Sequence, residues 1–188
     1  MKIYFLDRNE AMISAWKNWF GDTVNIEKNE FEDFMNLHSE VDIIVSPANS
    51  FGLMDGGYDL AITEYFGEEL MHCVQEKIIK EWYGEQPVTT SISVKIPNSD
   101  KWLIHTPTMR TPEIIKDERI IYQCMRATLI EAKKLGLDSI VIPAFGGGVG
   151  NVEPDIIAKY MYIAYEQIKN VPTEIDWDYA SRMEEILD

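Results

Sequence analysis

Asn49 and Asp59 stand ten positions apart, with Gly52, Gly56 and Gly57 among the residues between them. An amide can donate to a hydroxyl without adding charge, and a carboxylate can orient or deprotonate water. The stretch from Val45 to Ile62 begins as a buried strand, breaks into a loop of small residues and resumes as an apolar-periodic helix. Plainer readings stay open. Asp59 is also an acid in a first helical turn, where acids are favoured, and Asn49 also suits an Asx turn or an N-cap. Asp55, in the same loop, is either a third polar participant or a solvent-facing residue.

A second loop follows the apolar run Ile140–Pro143: Ala144-Phe-Gly-Gly-Gly-Val-Gly150, with four glycines in five residues. A strand-to-helix turn exposes successive N–H groups, and glycine lets a phosphate approach the backbone because no Cβ intervenes. Phe145 fits either a ligand wall or the core. Neither loop contains Lys or Arg, so an anion held there must be met by backbone N–H groups and helix N-termini. Gly146 and Gly148 match the first two glycines of the dinucleotide fingerprint, but Asn151 stands at the third. The chain has no P-loop motif and no G-x-S-x-G elbow, which leaves Ser46 and Ser50 poor nucleophiles. His38, His72 and His105 share no metal-ligand spacing, so neither a metal nor a cofactor is expected.

Strand-like runs at Lys2–Leu6, Val24–Ile26, Val41–Ser46, Thr89–Lys95, Trp102–His105 and Ser139–Ile142 must position these loops. Helical periodicity separates them at Asn9–Phe20, Glu118–Leu135 and Asn151–Ile168. The alternation predicts an α/β sandwich with a largely parallel sheet. Pro87–Trp102, with turn residues Pro97-Asn-Ser-Asp100, predicts a hairpin and so a mixed sheet. One domain over residues 1–188 is expected, its tail from 170 packing across the body, with Trp177 and Tyr179 candidates for a pocket edge.

The formal charge is 17 − 32 = −15. Its even spread argues against nucleic acid or an anionic membrane as the main partner, though not against a small anion bound by backbone N–H groups. Cys73 and Cys124 lie in helical patterns with no disulfide or zinc spacing, and no apolar run approaches a membrane span. A soluble, cytoplasmic protein is expected.

Together the two loops resemble those of macro domains. That family's first loop reads N-A-A-N, a glycine run and V-x-x-A-I; here Ser46-Pro-Ala-Asn49, Met54-Asp-Gly-Gly57 and Tyr58-Asp-Leu-Ala-Ile62 stand in its place. The second, P-A-x-G-T-G-V-G, is similar to Pro143–Gly150, and Ile104-His-Thr-Pro107 resembles the segment between them, so the resemblance runs from about Val24 to Ile168. It implies a three-layer αβα sandwich with a mixed central sheet that binds ADP-ribose, and in some members hydrolysis at the distal ribose. On this carry-over Asn49 holds that ribose and Asp59, or Asp55, handles water. Ser46, Ala48, Ser50, Gly56, Gly57 and Tyr58 line the ligand from the first loop; Ala144, Phe145, Gly146, Gly147, Gly148, Val149 and Gly150 do so from the second. Glu30 stands where the family's adenine-accepting acid would lie. The S-P-x-N-S and D-G-G pattern resembles a divergent subset associated with ADP-ribose 1″-phosphate phosphatase activity. Ser46 for the first Asn, and Met54-Asp55 for two glycines, are the departures. The alternatives are a hydrolase acting on mono-ADP-ribosylated protein, a reader that binds ADP-ribose without turnover, and an unrelated α/β nucleotide enzyme.

Overall fold

The computed structural model describes residues 1–187. In chain order the elements are β1 (Lys2–Asp7), α1 (Glu10–Phe20), β2 (Asn25–Lys28), α2 (Phe31–Leu37), β3 (Ile43–Ser46), α3 (Gly57–Phe66) and α4 (Glu69–Trp82). Then come β4 (Ile92–Lys95), β5 (Trp102–His105), α5 (Arg119–Leu135), β6 (Ser139–Pro143), α6 (Pro154–Lys169) and α7 (Trp177–Leu187). The strands form one sheet in the order β2-β1-β6-β3-β5-β4. All neighbours are parallel except β4 and β5, which form the expected antiparallel hairpin with Ile92 opposite His105.

Strand side chains alternate between two faces, and the buried residues sort accordingly. Ile3, Phe5, Ile43, Val45, Ile104, Ile140 and Ile142 pack with α1, α5 and α6. Tyr4, Leu6, Ile44, Leu103 and Val141 pack with α2, α3 and α4. The result is the αβα sandwich with a mixed central sheet. Helix α7 fully buries none of its residues, although Leu187 packs against the first cluster and Tyr160 Oη donates to Leu187 O at 3.2 Å. Among the described residues no helix is long and apolar enough to cross a membrane.

The two largest departures from the expected boundaries, three residues each, both occur at a non-glycine residue with positive φ. The strand expected from Thr89 begins at Ile92, because Thr89 sits at φ 69° and the preceding segment turns back onto β5. The helix expected from Asn151 begins at Pro154, because Asn151 has φ 52° and Val152 N–H returns to Gly146 O.

Five parallel strands end at one sheet edge, at Asp7, Lys28, Ser46, His105 and Pro143. Ligands of open α/β sheets gather at such carboxyl ends. Because β3 lies directly beside β6, with Ile43 against Ile140, the loops after Ser46 and Pro143 emerge side by side despite nearly a hundred intervening residues.

Candidate functional site

The first loop joins β3 to α3 and places Ser46 under Asp59. Ser46, wholly buried at the strand end, donates its Oγ hydrogen to Asp59 Oδ1 at 2.7 Å. Burial pushes the Asp59 carboxyl up to about 7, against the lowering effect of the Ser46 hydrogen bond. Thr63 Oγ1 lies at 3.1 Å from Asp59 O and 2.9 Å from Met54 O, so the first turn of α3 is tied to the loop before it. Met54 is fully buried in the core and cannot line a ligand in the manner of glycine, whereas Asp55, Gly56 and Gly57 are exposed. The N-cap is Gly56, with no side chain closing the helix, so α3 presents uncapped N–H groups at its positive end.

The Asn49 side chain braces its own loop. Its Oδ1 accepts from Phe51 N–H at 3.1 Å and Leu53 N–H at 3.3 Å, while Nδ2 donates to Leu53 O at 2.9 Å. The Asx-turn reading therefore describes the conformation, and one Nδ2 hydrogen is left for another acceptor. The loop is also held to the segment after β5: Ser50 N–H points at Met109 O and Arg110 O, and Thr108 Oγ1 donates to Pro47 O at 3.1 Å.

In the second loop Phe145 is wholly buried in the core, the plainer of its two readings. Gly146 takes φ 79°, and a Cβ on Gly150 would stand 2.8 Å from Gly146 O. Only glycine satisfies that close turn. Ile115 N–H donates to Gly150 O at 3.0 Å, fastening the loop from the β5–α5 connection. Ala144 is half-buried, and Gly147, Gly148 and Val149 face outward. The loop does not run straight into the helix as its sequence suggested. Residues Asn151–Glu153 intervene, and Glu153 and Asp155 flank the start of α6. Carboxylates already meet that positive end.

Glu30 caps α2 at the same sheet edge, but its carboxylate is exposed and 3.8 Å from Arg8. Two further groups belong to the same end of the sheet, Asp7 at the end of β1 and Tyr58 at the start of α3. Asp7, at the end of β1, accepts from Asn9 N–H at 2.8 Å and is pushed up by burial. The hydroxyl of Tyr58 is buried without a hydrogen-bond partner, its ring edge-on to Phe31 at 5.4 Å. Burial, then the charges of Asp59 and Asp7, push that phenol far upward. Tyr58 follows from the loop motif; the signal for Asp7 is only an acid ending the first apolar run.

A cavity of about 710 Å³ lies elsewhere, between α5 and the tail, lined by Tyr122, Arg126, Ile130 and Tyr179 among others. Tyr179 thus does border a cavity, away from the glycine loops, whereas Trp177 is 87% exposed.

Comparison with known proteins agrees with the fold. The model of the "Macro domain" family matches residues 45–161. An uncharacterized protein of Aquifex aeolicus is 32% identical over 154 residues, covering 79% of this chain and 90% of that protein. The Oceanobacillus iheyensis macrodomain with MES bound superposes with TM-score 0.60 at 25% identity, over 78% of this chain and 83% of that one. A point mutant of the same macrodomain, solved with ADPR, gives TM-score 0.60 at 24% identity over 78% and 84%.

Proposed function

The chain belongs to the macro domain family, and on that premise we propose that it binds ADP-ribose across the β3–α3 and β6–α6 loops and hydrolyses a derivative at the distal ribose. ADP-ribose 1″-phosphate is the preferred substrate. The observation that carries the catalytic half is the pairing of buried Ser46 with half-buried Asp59, Oγ and Oδ1 at 2.7 Å beside the uncapped start of α3. A carboxyl pushed up to about 7 is poised to take a proton near neutral pH.

In this reading the pyrophosphate rests on the N–H groups of residues 146–150 and of the α3 start, and the spare Asn49 hydrogen meets a ribose hydroxyl. Asp59 accepts a proton from water as the water oxygen bonds to phosphorus. The P–O bond to the distal ribose breaks, the ribose oxygen takes up a proton, and ADP-ribose and phosphate leave. Asp55, exposed on the same loop, is the second carboxylate in reach of the ligand's outer end.

Calorimetry with ADP-ribose, beside turnover of ADP-ribose 1″-phosphate and of mono-ADP-ribosylated protein, tests both halves. The expected result is binding by the wild type and by Asp55→Ala and Asp59→Ala, with turnover of the 1″-phosphate lost at least 100-fold in Asp59→Ala. Release from the protein substrate alone would assign the alternative hydrolase activity. Binding without turnover on either substrate leaves a reader module and overturns the enzyme claim.

A further inference from the structure

Gln86 lies in the short connection between α4 and β4, outside both glycine loops, and is wholly buried. Its backbone N–H donates to Ser50 O at 2.9 Å. Its side-chain nitrogen faces three acceptors: Thr90 O at 2.9 Å, Thr90 Oγ1 at 3.2 Å and His105 O at 3.3 Å. Thr90 Oγ1 spends its own hydrogen on Pro87 O at 2.7 Å, so it can only accept from Gln86.

These partners settle which end of the amide is which. With Nε2 toward the acceptors, Oε1 is the atom 2.8 Å from His105 Nδ1, and that nitrogen must carry the proton. The imidazole is buried and neutral at ordinary pH, burial holding it down at about 4. Its other nitrogen, Nε2, is buried and has no hydrogen-bond partner. The Gln86 side chain thus anchors a residue whose N–H holds Ser50 O, while Met109 O and Arg110 O take the Ser50 N–H, and His105 of β5 stands in register beside Ser46, at the end of β3 from which the loop departs.

The backbone next to Gln86 is held in a conformation that needs such fastening. Thr89, a β-branched residue, sits at φ 69°, with its N–H donated to Pro107 O at 3.0 Å. Strain of this kind persists only where the surroundings over-determine it.

We propose that Gln86 is a positioning residue for the distal-ribose end of the site: acting with His105, it fixes the Asn49–Ser50 backbone and so aims the one free Asn49 amide hydrogen at the ribose. The inference rests on the ADP-ribose reading above. Its consequence is selective. A ligand that reaches the distal ribose depends on Gln86, and one that ends at the β-phosphate does not.

ADP and ADP-ribose differ by that ribose, so their affinity ratio isolates the effect from general loss of fold. Wild type, Gln86→Met, His105→Leu and His105→Asn are to be titrated with both ligands, with thermal unfolding run in parallel. In Gln86→Met and His105→Leu the preference for ADP-ribose over ADP is expected to fall about tenfold, while ADP affinity changes less than twofold. Asn keeps a donor near the position of imidazole Nδ1, so His105→Asn is expected to retain most of the preference. A folded Gln86→Met with the wild-type ratio overturns the inference and leaves the ADP-ribose reading intact. If Gln86→Met does not fold, the two His105 variants decide, and equal ratios in both overturn it. A wild type that binds neither ligand overturns the reading and the inference together.

Discussion

Burial lifts the Asp59 carboxyl to about 7 while the Ser46 hydroxyl at 2.7 Å pulls it the other way. Two outcomes follow with opposite signs. As a general base Asp59 works ionised, so kcat/KM for ADP-ribose 1″-phosphate is expected to rise about tenfold per pH unit below 7 and to level above it. Ser46→Ala removes the contact that favours the carboxylate, and the midpoint should move to higher pH; a profile flat from pH 5 to 8 would remove Asp59 from the chemistry. For stability, a folded-state value above the unfolded one means that the folded chain holds the extra proton between about 4 and 7, so this residue's contribution declines as pH rises through that window. Asp59→Asn should therefore unfold at a higher temperature than wild type at pH 8, with the difference vanishing near pH 4, as thermal unfolding at the two pH values would show. A site residue that opposes folding when charged fits a functional use. Residue types and spacing marked Asn49 and Asp59 as candidates, because the ten-residue separation needs no knowledge of the third dimension. The Gln86 contacts to Ser50 and His105 were not legible, since they join residues 36 and 19 positions apart that only the fold brings together.

The elements that deliver these groups were largely readable from periodicity and turn residues, including the antiparallel β4–β5 hairpin. Misplaced starts at Thr89 and Asn151 share one cause: each takes a positive φ that its residue type does not announce, stabilised by partners distant or unseen in the local pattern. The glycine loop shows the opposite case, where sequence and conformation agree. Gly150→Ala puts a methyl 2.8 Å from Gly146 O, a backbone atom that cannot swing aside, and should cost about 1–3 kcal/mol by denaturant unfolding. Gly148→Ala meets nothing within 4 Å and should leave stability within about 0.5 kcal/mol of wild type. If both variants unfold alike, the close turn at Gly146–Gly150 is not what that loop's glycines serve. Measured ADP-ribose affinity should fall in Gly150→Ala beyond any change in Gly148→Ala, because only the former displaces the N–H cradle.

At the scale of the molecule, a net charge of −15 surrounds a cleft proposed to hold a dianionic pyrophosphate without Lys or Arg in either loop. Long-range repulsion of the ligand is screened by salt, whereas backbone N–H contacts at short range are not. ADP-ribose association, followed by stopped flow, should therefore quicken severalfold between 20 mM and 200 mM salt, the reverse of a lysine-lined site. Core architecture places both loops on adjacent parallel strands, and the central claim is that ADP-ribose lies between them. The most direct measurement is a titration of the wild-type chain with ADP-ribose followed residue by residue through its backbone amide resonances. Saturable shifts concentrated at residues 49–59 and 144–151 are the predicted result. Saturable shifts confined to the α5–α7 cavity around Arg126 and Tyr179, or no shifts at all, would contradict it.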